Sequence, residues 1–94
     1  MKLMNLKGTN DFLPKDQIIR NKIVDILKKN FEKYGYLPIE TPILNYYDLL
    51  AYKYDSDAEI LSEIYKLKDQ GDRNLGLRYD LTVPFCKVIG LNKD

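Results

Sequence analysis

Leu77-Arg78-Tyr79-Asp80-Leu81-Thr82-Val83-Pro84-Phe85 reads as the end of a strand running into the start of a helix. Thr82 is a helix-capping residue type, and Pro84 suits a first helical turn, where a missing N–H costs nothing. Phe85, Val88 and Ile89 supply the apolar residues of that final helix. Upstream, Ile64 to Asp69 and Asn74 to Asp80 read as two strands joined across Gln70-Gly71-Asp72-Arg73. A four-residue connection containing Gly predicts an antiparallel hairpin. Alternation along the second strand places Leu75, Leu77 and Tyr79 on one face and Gly76, Arg78 and Asp80 on the other. Gly76 leaves its face uncrowded, as close approach of a ligand or another backbone requires.

Residues 1–14 read as an extended lead-in with turn chemistry at Gly8-Thr9-Asn10-Asp11, and Pro14 is placed to open a helix. From Lys15 to about Tyr34, Ile19, Ile23, Ile26, Leu27, Phe31 and Tyr34 recur at helical spacing, with Arg20, Lys22, Asp25, Lys28, Lys29 and Glu32 opposite. This predicts a surface helix with one buried stripe, stopped at Gly35. Tyr36-Leu37-Pro38-Ile39-Glu40 reads as a short strand, at an edge or irregular because Pro38 removes a donor. After the break at Thr41-Pro42, Ile43 to Tyr52 fits either a short helix or a further extended piece. Residues 53–59 are the most polar stretch and read as a mobile loop. No repeat, low-complexity tract or linker divides the chain, so the fold class is α+β: a long helix, short strands and a β-hairpin.

Ninety-four residues make one small domain or a piece of a larger one. A net charge of +1 gives no electrostatic case for nucleic acid or an anionic membrane as a direct partner of this segment. The chain has no histidine, which excludes Ser/His/Asp chemistry within it. The single cysteine, Cys86, forms no internal disulfide, no metal site and no Cys/His pair, which fits a reducing, cytoplasmic compartment. No run approaches the roughly 20 apolar residues that a membrane span needs. Asp55, Asp57 and Glu59 lack the spacing of a calcium loop, and no Gly-rich phosphate loop is present. No metal site is expected.

Arg78 and Asp80 allow two readings. One is a sheet-face ion pair worth little to stability. The other makes Asp80 the acceptor for a ligand's ammonium group through a charge-assisted hydrogen bond, with Thr82 as a second polar contact. Thr82 is equally explained as a cap of the last helix.

Several segments in order resemble the N-terminal part of histidyl-tRNA synthetase, a class II aminoacyl-tRNA synthetase. Lys7-Gly8-Thr9-Asn10-Asp11-Phe12-Leu13-Pro14 is similar to the family's opening Gly-Thr-x-Asp-Phe-x-Pro signature. The helix with Tyr34-Gly35-Tyr36-Leu37-Pro38-Ile39-Glu40-Thr41-Pro42 resembles class II motif one, Pro42 standing at its characteristic proline. Ile64 to Gly71 followed by Leu77 to Phe85 resembles the hairpin and substrate loop.

The resemblance implies the N-terminal piece of a class II antiparallel-sheet core, with residues 1–94 a partial catalytic domain holding motif one and the amino-acid-binding loop. It implies a parent enzyme that activates histidine with ATP and Mg2+ and transfers it to tRNA. Asp80 and Thr82 match the positions that hold the substrate's α-amino group, with Leu81 between them, and Pro42 matches the dimer interface of a homodimer. Class II motifs two and three each supply an arginine, and neither stands in these residues, so the chain alone is expected to be inactive, with no catalytic residue of its own. The competing expectations are a non-catalytic relative, such as the regulatory subunit of ATP phosphoribosyltransferase or a synthetase-like domain of a stress kinase, and a small standalone dimerisation domain.

Overall fold

A computed structural model describes residues 1–52 and 58–93. The chain divides into two compact units, Met1–Pro38 and Ile39–Asp94. The division falls inside Tyr36–Glu40, which carries no Gly, Ser or charge run to mark it.

In the first unit, the lead-in turns at Gly8, whose φ of +85° is a conformation only glycine adopts cheaply. The Thr9 N–H and hydroxyl both donate to the Leu6 carbonyl, at 3.0 and 2.6 Å. Helix α1 spans Pro14–Lys33. Proline at the first position forgoes an N–H that has no helical acceptor, and Asp16 and Gln17 N–H groups close the first turn on the Leu13 carbonyl. Ahead of the helix, Phe12 lies beneath the Arg20 guanidinium, 3.8 Å from ring centroid to Cζ.

The expected stop is realised as a Schellman motif. Gly35, at φ +85°, donates its N–H to Glu32, and Tyr36 donates to Phe31. The Tyr36 ring meets Phe31 edge-on with centroids 6.1 Å apart, the apolar contact that accompanies this cap.

Two expectations in this region are corrected. The α1 stripe is not buried: no residue of the helix is, and Ile19, Ile23, Ile26 and Phe31 are each about half exposed. Periodicity marks a face suited to burial, but burial also needs a covering surface, which the described residues do not provide. Tyr36–Glu40 forms no strand. Pro38 cannot donate to a ladder, and Leu37 and Ile39 on one prospective face and Tyr36 on the other are all exposed, so neither face is buried by pairing.

The second unit holds β1 (Leu44–Tyr46), α2 (Tyr47–Tyr52), α3 (Ala58–Glu63), β2 (Lys66–Lys68), β3 (Asn74–Leu77) and α4 (Thr82–Leu91). Both readings of residues 43–52 are thus met in sequence, strand then helix. Within the stretch read as a mobile loop, 53–57 lie outside the described residues, and Ala58 and Glu59 open α3, which sequence reasoning did not anticipate.

The sheet order is β1-β3-β2, antiparallel throughout. Asn45, Gly76 and Lys66 stand opposite one another, as do Tyr46, Leu75 and Leu67. The hairpin is therefore as expected, though both strands are shorter. Asp69 organises its connection: its carboxylate accepts from the Arg73 N–H at 2.9 Å and Nε at 2.6 Å. The left-handed residue there is Asp72, at φ +61°, rather than Gly71. An aspartate tolerates that conformation better than most side chains.

The core is small: Leu50 of α2 and Ile64 ahead of β2 are nearly fully buried, with Pro84 of α4. Gly76 is where the sheet meets it. A Cβ built there would stand 3.1 Å from Leu50 Cδ1 and 3.2 Å from Ile64 Cγ2. The close approach read at Gly76 is real, but core side chains make it, not a ligand.

Candidate functional site

The residues singled out by sequence fall between the end of β3 and the start of α4. β3 ends at Leu77, so the alternation expected to carry Arg78 and Asp80 along one strand face stops short of them. Asp80 folds back locally, its Oδ1 accepting the Thr82 N–H at 3.0 Å. This is an Asx-type turn, and it bends the chain out of the sheet and into the helix. The capping role read at Thr82 falls instead to Asp80. Thr82 is the first residue of α4, the preceding Leu81 makes no side-chain cap, and the carboxylate of Asp80 satisfies the Thr82 N–H. Negative charge at a helix N-terminus is electrostatically favourable. Released from capping, the Thr82 hydroxyl accepts no hydrogen bond and donates none among the described residues.

Two residues, Arg78 and Tyr79, anchor the approach to this turn. The Arg78 N–H donates to the Ile43 carbonyl at 3.0 Å, continuing the β1–β3 ladder one residue further. The Arg78 guanidinium Nη1 donates to the Thr41 carbonyl at 3.1 Å and to Thr41 Oγ1 at 3.3 Å. The Tyr79 hydroxyl donates to Glu63 at 2.8 Å. Beside the turn lies an open cleft of about 520 Å³ lined by Ile39, Glu40, Thr41, Arg78, Leu81, Thr82 and Phe85. Its lining combines the apolar Ile39, Leu81 and Phe85 with one carboxylate, one guanidinium and two hydroxyls, a composition suited to a small zwitterion.

The structure brings Leu81 and Thr82 together on the cleft wall, while Asp80 lies at the adjoining helix terminus rather than on the wall itself. Pro42 is exposed on the segment before β1, its carbonyl accepting from the Asn45 amide at 3.3 Å. Sequence reasoning missed Glu40, Thr41 and Phe85 as cleft residues. The Thr41-Pro42 break was a usable signal for the first two, because an irregular segment beside a sheet edge is free to border a cleft. Nothing in the local pattern distinguishes Phe85 from a core residue. Among the described residues, no group of three or more His, Cys, Asp or Glu side chains is placed to hold a metal ion.

Two groups with clearly perturbed ionisation, Asp69 and Arg73, lie on the β2–β3 connection, away from the cleft. The Arg73 backbone N–H, more than the Arg73 charge, holds the Asp69 carboxyl below its usual range. Asp69 in turn raises Arg73.

The sequence model of histidyl-tRNA synthetase matches residues 8–91. Histidine–tRNA ligase 1 of Bacillus cereus is 56% identical over 92 residues, covering 98% of this chain and 21% of that protein. The apo histidyl-tRNA synthetase of S. aureus superposes with a TM-score of 0.77 at 30% identity, over 94% of this chain and 23% of that one. A Bacillus halodurans protein described as an ATP phosphoribosyltransferase regulatory subunit/histidyl-tRNA synthetase superposes at 0.79, also at 30% identity, over 99% of this chain and 24% of that one. The chain thus spans about a fifth of the length of the curated relatives it matches.

Proposed function

The chain belongs to the histidyl-tRNA synthetase family, and on that premise we propose that it supplies the amino-acid-binding loop of a histidine–tRNA ligase. The parent reaction is activation of histidine by ATP with Mg2+, then transfer to tRNA. Asp80 and Thr82 hold the α-amino group of histidine, with Leu81 between them on the cleft wall. The observation that carries this reading is the Asx turn: Thr82 N–H orients the Asp80 carboxylate and leaves the Thr82 hydroxyl available beside the cleft. An ordered carboxylate and a hydroxyl two residues apart suit an ammonium, which needs several acceptors in fixed places.

These 94 residues do not complete an adenylating site, because the arginines of motifs two and three are not among them. The chain by itself is therefore predicted to give no histidine-dependent pyrophosphate exchange, and exchange by this chain alone overturns that statement. Pro42 and the half-exposed apolar stripe of α1 are proposed to face a second subunit of a homodimer. Sedimentation of the chain across a concentration series tests this. Among the described residues, no helix is long and apolar enough to cross a membrane, and the working compartment proposed is the cytoplasm.

A second reading is supported by the Bacillus halodurans likeness: a regulatory relative that binds histidine without charging tRNA. Pyrophosphate exchange by the whole parent protein separates the two, since a ligase exchanges and a regulatory subunit binds without exchange.

A further inference from the structure

We propose that Arg78 is a positioning residue for the amino-group site, an inference that rests on the assignment of Asp80 and Thr82 to the histidine ammonium. Residues 79–81 belong to neither strand nor helix, and their placement depends on what holds their two ends. The far end is closed by the Thr82 N–H on Asp80. At the near end, Arg78 makes a double connection to the segment before β1, 37 positions earlier in the chain. Its backbone N–H reaches Ile43, and its Nη1 reaches both the carbonyl and the hydroxyl of Thr41.

Both Arg78 and Thr41 line the cleft that Leu81 and Thr82 line. The guanidinium therefore ties the residue that leads into the substrate turn to Thr41, another residue of the cleft lining. A planar guanidinium stays charged at any working pH and presents its donors in a fixed fork. It fixes direction as well as distance, which a flexible ammonium in its place does poorly. Without it, the ladder bond to Ile43 still holds the end of β3, but the turn beyond loses its reference to Thr41. The ammonium acceptors then sample several placements, and the apolar lining residues Ile39 and Phe85 are left largely as they were.

The test is a titration of the wild-type chain, Arg78→Ala, Arg78→Lys, Thr41→Val and Thr41→Ser with histidine and with 3-(imidazol-4-yl)propionate, which has the ring and carboxylate but no amino group. Thr82 and Leu81 amide shifts are followed by NMR. Arg78→Ala is expected to weaken histidine about tenfold, the loss of roughly one charge-assisted hydrogen bond, and to change the des-amino ligand less than about twofold. Arg78→Lys and Thr41→Val are expected to fall between wild type and Arg78→Ala, keeping the inference testable if the alanine variant unfolds. Thr41→Ser, which keeps both acceptors, is expected to match wild type. Equal weakening of both ligands, or unchanged histidine affinity in folded Arg78 variants, overturns the positioning role. A wild-type chain that binds the two ligands equally overturns the amino-group assignment itself, and the inference with it.

Discussion

Replacing Gly76 by alanine tests the core directly, because the new methyl group has nowhere to go. Its Cβ would stand 3.1 Å from Leu50 Cδ1, 3.2 Å from Ile64 Cγ2 and 3.4 Å from the Tyr65 carbonyl oxygen. Carbon atoms rest at about 3.5–4.0 Å, so two neighbours must each yield by about half an ångström. Leu50 and Ile64 are 2% and 5% exposed, so neither can move aside without disturbing the core. Overpacking of this kind costs about 1–3 kcal/mol. Alanine recovers roughly 0.4–1 kcal/mol by restricting the unfolded chain, since Gly76 has no left-handed backbone that alanine would strain. The net loss centres on about 1.3 kcal/mol, which at a slope near 1 kcal/mol/M lowers a urea midpoint by about 1 M. Gly71→Ala is the control: its Cβ would meet only Arg73 and Asp69 side-chain atoms at 3.4–3.5 Å, ordinary contact, so the midpoint is expected to hold or rise. Both variants are compared with wild type by urea unfolding followed by circular dichroism. A Gly76→Ala midpoint equal to or above that of Gly71→Ala, with unchanged slope, refutes the packing argument.

Gly35→Ala is expected to destabilise α1 by about 1 kcal/mol, because an alanine at φ +85° carries the left-handed penalty, and faster exchange of the Tyr36 amide reports the loosened cap. Asp69 has a folded pKa below its unfolded value, so its contribution to the hairpin is complete above about pH 3.9 and disappears as pH falls through the lowered folded value. The Arg73 amide shift should follow that transition in wild type, and Asp69→Asn should abolish it. Asp80→Asn retains an acceptor for the Thr82 N–H but not the charge. It is expected to leave α4 intact while weakening histidine about tenfold or more, whereas Asp80→Ala loses both, measured by Thr82 amide exchange and histidine titration.

The legible parts of the sequence were those where local chemistry decides the outcome. Pro14 opening α1, Gly35 closing it and the turn residues between β2 and β3 act within a few residues of themselves, and each stands where its chemistry requires. Legibility failed where the outcome depends on distant partners. The α1 stripe has helical spacing, yet spacing does not supply a covering surface. Tyr36–Glu40 has strand-forming residues but no ladder to join. At the candidate site, Asp80 and Thr82 stand out by residue type at the end of the hairpin and Leu81 only by the family resemblance, but the division of labour between Asp80 and Thr82 was not legible. Whether Thr82 caps or Asp80 does depends on the turn geometry, and either residue type suits the role. The partner of Arg78 was beyond local reading, since Thr41 lies 37 positions away.

The central claim is that Asp80 and Thr82 receive the amino group of histidine, and the most direct measurement is the Thr82 amide shift during a histidine titration. With few of the site's walls present, the wild-type chain is expected to show a saturable shift in the millimolar range, about 4 kcal/mol of binding. The shift should be centred on residues 80–82, saturate at lower concentration than with 3-(imidazol-4-yl)propionate, and be weakened about tenfold or more in Asp80→Asn. A histidine response that spares residues 80–82, or that survives Asp80→Asn unchanged, contradicts it.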